Sequence, residues 1–69
     1  MTPTQIRRIA DTVEVWHTPQ RNQGQMVEIS YGRSDDGDIV ERTIDRSIPE
    51  TTYRVVGGAS DAMPTEYGS

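Results

Sequence analysis

The sequence predicts an α+β fold: a small three- to four-stranded antiparallel meander with an N-terminal helix packed on one face. Three observations carry this. Apolar volume is concentrated in six Ile and six Val, with no Leu or Phe, and β-branched side chains suit a pleated, half-buried surface better than a helical core. Met26 to Tyr31 alternates, which puts Val27, Ile29 and Tyr31 on one face and Glu28 and Ser30 on the other. Thr2-Pro3-Thr4-Gln5 has the form of a capping box with Pro at the first helical position.

The helix begins at Pro3. Ile6, Ile9, Ala10, Val13 and Trp16 then fall on one stripe at helical spacing, which predicts a single helix to about Trp16. A second reading fits the same residues. Thr12-Val13-Glu14-Val15-Trp16 alternates and is β-branched, and Val15 lies off the stripe, so a helix of Pro3 to Ala10 followed by a strand is equally compatible. Either way the helix ends before Thr18, which precedes Pro19.

Residues 19–25 are a polar loop, and Met26–Tyr31 is the first clear strand. Ser34-Asp35-Asp36-Gly37 is turn chemistry, and Ile39–Asp45 is the returning strand of a hairpin. Ser47 to Glu50 connects to a further strand, Thr52–Val56, stopped by Gly57-Gly58. A hairpin alone is not independently stable, so Ile6, Ile9 and Val13 are needed to cover the sheet. The expected organisation is one domain over residues 1–58 and a disordered tail over 59–69, where Gly, Ala, Ser, Asp and Pro take over.

Composition narrows the function. With no Cys there is neither a disulfide nor a thiolate metal site, and His17 is the one His. No metal site and no cofactor is expected. Asp35, Asp36 and Asp38 crowd a short turn, whereas a calcium loop needs spaced acids and a distal bidentate Glu. A solvated hairpin tip accounts for them. His17 would be the default general base, but no nucleophile is fixed near it by the sequence, and no enzyme is expected. The seven basic residues are all Arg, interleaved with eleven acids for a net charge of −4. That is not the footprint of a nucleic-acid binder, and direct nucleic-acid binding is not expected. No apolar run approaches the length of a membrane span, so the expectation is a cytoplasmic protein without a membrane partner.

What remains is a small acidic protein-binding module. By analogy of size and charge alone, it suggests a phage-type inhibitor of host machinery that acts on a basic protein surface. The candidate contact residues are the acids Asp35, Asp36, Asp38, Glu28 and Glu41, which suit a basic partner, together with Trp16 and Tyr31, residue types that dominate binding hot spots. The alternative is a structural subunit that self-associates into a homo-oligomer through a sheet edge or an uncovered face.

Overall fold

The computed structural model describes residues 1–64 of the 69. The elements in order are helix α1 (Pro3–Asp11), a 3-10 turn (Gln20–Asn22), and strands β1 (Val27–Arg33), β2 (Ile39–Asp45) and β3 (Glu50–Gly57). The strands form an antiparallel sheet in the order β1-β2-β3. This is the expected helix-plus-meander, with three strands.

The capping box is formed in full. Thr2 Oγ1 accepts from the Gln5 amide at 3.2 Å, and Gln5 Oε1 accepts from the Thr2 amide at 2.8 Å. The helix stops at Asp11, short of Trp16. Thr12 caps it, and its hydroxyl donates back to the Ile9 carbonyl at 2.7 Å. Beyond the cap the β-branched run Thr12 to Val15 is not helical, and it does not form the full strand of the second reading either. It runs along the edge of β1 and makes one antiparallel bridge, in which His17 and Tyr31 exchange both backbone hydrogen bonds at 2.8 Å.

Register decides the faces. Ser30 and Gly32 lie with Val40, Arg42, Tyr53 and Val55 on one face, and Ile29 and Tyr31 lie with Ile39, Glu41, Thr43, Thr52 and Arg54 on the other. Helix α1 and Trp16 take the first face: Arg7 lies over the Tyr53 ring, and the Trp16 and Tyr53 rings pack 6.0 Å apart. The alternating set Val27, Ile29 and Tyr31 therefore faces away from the helix. Small residues at Ser30 and Gly32 explain the choice. A Cβ on Gly32 would stand 2.2 Å from Val13 Cγ1, 2.9 Å from the Val15 carbonyl and 3.2 Å from Trp16 Cε3.

The core is small: Ala10, Ile39 and Val40 are its buried apolar residues. Val40 is buried on the helix side. Ile39 is buried on the other, at the end where residues 57–61 return. Arg33 ties that return down by donating to the carbonyls of Gly37 (2.7 Å), Gly58 (3.4 Å) and Asp61. Ser30 is fully buried and shares a 2.6 Å hydrogen bond with Thr18, which satisfies its hydroxyl. Of the tail, residues 59–64 follow a turn closed by the Asp61 amide on the Gly58 carbonyl at 3.0 Å. Residues 65–69, including Tyr67, lie outside the described part. Among the described residues, no helix is long and apolar enough to cross a membrane.

Candidate functional site

The hairpin tip is built by Ser34. Its amide donates to the Asp38 carbonyl, its carbonyl accepts from Gly37, and its hydroxyl accepts from the Asp38 amide at 3.1 Å. Gly37 has φ +90°, which an L side chain rarely adopts. Asp35 and Asp36 are exposed at the apex, and Asp38 is half-buried at the base. The Asp35 amide donates to Thr12 Oγ1 at 3.0 Å, so the tip is fastened to the end of the helix.

The other acids are engaged inside the molecule. On the open face Glu41 lies between two cross-strand neighbours: it accepts from Tyr31 Oη at 3.3 Å and from Arg54 Nη2 at 3.1 Å. Burial, and then the Glu41 carboxylate, push the Tyr31 phenol above its usual range. Glu28 is on the opposite face at the other end of β1, where it accepts from Arg46 at 3.2 Å and the Gly24 amide at 3.3 Å. Trp16 is half-buried on the helix-covered face, under Arg42.

The seven candidate residues therefore do not make one patch. Asp35, Asp36 and Asp38 stay together at the tip. Tyr31 and Glu41 pair on the open face, while Glu28 and Trp16 are apart from both.

An open groove of about 510 Å³ joins two of these groups. It runs beside the edge of β1, between the segment after the helix and the returning tail. Glu14, Val15, His17, Tyr31, Asp35 and Met63 line it, and Arg33 forms part of its wall. Val15 is 76% exposed, an unusual position for a β-branched residue in a chain with so few apolar ones. Its place off the helical stripe was the sequence signal for this groove. Glu14 and Met63 carried none, because their role depends on where the chain turns after Asp11 and Gly57.

Chemically the groove offers the carboxylates of Glu14 and Asp35 beside aliphatic and aromatic side chains. The Arg33 guanidinium is held by backbone carbonyls and does not pair with Glu14 or Asp35. His17 is exposed, and its backbone serves the bridge to Tyr31. Among the described residues, no group of three or more His, Asp or Glu is placed to hold a metal ion. Compared with family models, curated proteins and solved structures, the chain matches none of them.

Proposed function

We propose that this chain is a small non-enzymatic protein-binding module whose groove beside β1 receives a basic segment of a partner protein. The observation that carries this reading is the pairing of exposed acids with exposed apolar surface in one place. Asp35 and Glu14 line the groove together with Val15, Tyr31 and Met63. A segment with Arg or Lys between aliphatic side chains satisfies both requirements. The net charge of −4 attracts such a partner from a distance and raises its association rate. A basic surface that ordinarily holds nucleic acid has the necessary charge, and covering it would make the module an inhibitor of the phage type.

The test is an NMR titration of the labelled chain with a peptide that alternates Arg and Val. Amide shifts are expected at residues 12–17, 31–36 and 63, with affinity falling as salt is added. Replacing Asp35 and Asp36 with Asn keeps turn propensity and removes two charges. It is expected to weaken binding about tenfold, the equivalent of ~1.4 kcal/mol, and to flatten the salt dependence. Unchanged affinity in a folded double variant, or shifts confined to another surface, would remove the groove from the account.

A further inference from the structure

The outer edge of β3 is unpaired among the described residues, and it is complementary to itself. Backbone direction along the sheet follows from one bridge. Tyr31 gives both backbone groups to His17, on the side away from β2. In an antiparallel ladder, successive residues point their N–H and C=O to opposite sides. Glu28, Ser30 and Gly32 thus point at β2, where they face Ile44, Arg42 and Val40. Glu41, Thr43 and Asp45 must then point at β3, toward Arg54, Thr52 and Glu50. That leaves Thr51, Tyr53 and Val55 with their amides and carbonyls directed outward, six groups along a strand rich in Thr and Val that is regular up to the register shift opposite Ile39 and Val40.

We infer that two copies of this chain pair antiparallel through β3, about a two-fold axis at Thr52, to form a continuous six-stranded sheet. Symmetry and hydrogen-bond direction leave few registers. In the one centred on Thr52, Thr51 of each copy pairs with Tyr53 of the other, which satisfies the four groups of those two residues, while Val55 meets Pro49, whose carbonyl can accept from it. The same register sets Glu50 opposite Arg54 of the second copy, twice, in the closer-spaced kind of pair where side chains touch. Shifting the axis to Thr51 brings Pro49, which has no N–H, against Tyr53. Shifting it to Tyr53 sets Glu50 opposite Val56 and leaves the charges unmatched. The Thr52 register alone sets opposite charges face to face while still pairing Thr51 with Tyr53, and the charge match selects it.

Two further features lie on this edge. Ile48 (61% exposed) and Val56 (39%) are each four residues from the axis, so the two-fold carries the apolar end of one strand toward that of the other. A cleft of about 330 Å³ between α1 and β3, lined by Pro3, Ile6, Arg7 and Thr51 to Tyr53, opens beside the same edge. A stable dimer buries roughly 800 Å² per partner. Five residues of strand fall short of that, so the dimer is expected at micromolar concentrations and above. The closed two-fold uses up the β3 edge in both copies and stops at two.

Sedimentation velocity of the full chain tests this. The expected species at ~100 µM has twice the 7.7 kDa monomer mass and dissociates on dilution. Thr51→Pro removes an outward amide and leaves the β2 pairing intact, since edge strands tolerate Pro. Glu50→Arg sets like charges across the axis. Each is expected to raise the dissociation constant at least tenfold while circular dichroism stays native. Asp35→Asn with Asp36→Asn, at the far end of the sheet, is expected to leave the mass unchanged. A monomer at all concentrations would overturn the inference. So would a dimer indifferent to both edge variants, or a ladder of larger species.

Discussion

The Arg42 guanidinium lies 4.5 Å over the ring of Trp16, on the face of the sheet that the helix covers. Its Nε is buried without a hydrogen-bond partner among the described residues, so stacking on the indole is the main return for desolvating it. A planar, weakly hydrated cation suits this position, and a compact ammonium does not. Arg42→Lys is expected to cost about 1 kcal/mol in urea unfolding. Arg42→Met keeps the apolar stem and removes the polar group, so it is expected to stay within ~0.5 kcal/mol of the parent. A loss in Arg42→Met with Arg42→Lys close to the parent would show that the charge, not the stacked plane, matters at this position.

Gly32 is where the chain after the helix comes closest to the sheet. Gly32→Ala would drive a methyl into Val13, the Val15 carbonyl and Trp16. The expected loss is about 2 kcal/mol, a large share of what a domain this small has. That corresponds to a fall in melting temperature of roughly 10 °C. Adding Val13→Ala removes the nearest clash and is expected to recover part of the loss, a coupling that a double-mutant cycle measures. A melting temperature for Gly32→Ala within ~3 °C of the parent would mean the segment rides higher over the sheet.

Tyr31 makes alkaline stability a readout of the open face. Burial first, and Glu41 second, raise its phenol above the ordinary value. A raised pKa means the folded state holds its proton more tightly than the unfolded state. The associated stability is complete below the unfolded value of about 10 and is lost as pH climbs through the folded value. Tyr31→Phe is expected to flatten the decline in unfolding free energy above about pH 10. A decline of the same steepness in that variant would assign it to other groups.

The tail offers a test of where the domain ends. Removing residues 65–69 leaves every contact among the described residues in place and is expected to leave the melting temperature within a few degrees. Truncating after Gly58 also removes the Asp61 carbonyl that Arg33 reaches and the Asp61 carboxylate that accepts from the Gly58 amide at 2.7 Å. That is expected to cost about 1 kcal/mol, near 5 °C. Identical melting of both truncations would place the boundary at Gly58.

Much of the fold was legible because local chemistry and global packing agree. The capping box at Thr2 and Gln5 and the alternation over Val27 to Tyr31 specify structure within a few residues, and both elements formed. Strand β2 formed over Ile39–Asp45 as expected, β1 starts one residue later and ends two residues later than expected, and β3 begins two residues earlier and ends one residue later. The end of the helix was not legible, because Thr12 to Trp16 satisfies a helical stripe and an alternating strand equally well. The contact of Val13 and Trp16 with Gly32, far along the chain, decides it. The candidate site was legible only at its tip. Glu28 and Glu41 look free in the sequence, and only the cross-strand register shows Arg46 and Arg54 reaching them.

Helix α1, the first element of the chain, rests against β3, the last. Both hairpins close over short turns and can zip locally, whereas the helix must wait for a loop spanning most of the chain to close. The order of closure has a consequence for exposure: until β3 has joined β2, the apolar stripe of the helix and the sheet face it covers both stay open to water, so the helix contact is the last part of the fold to form and the first to be lost.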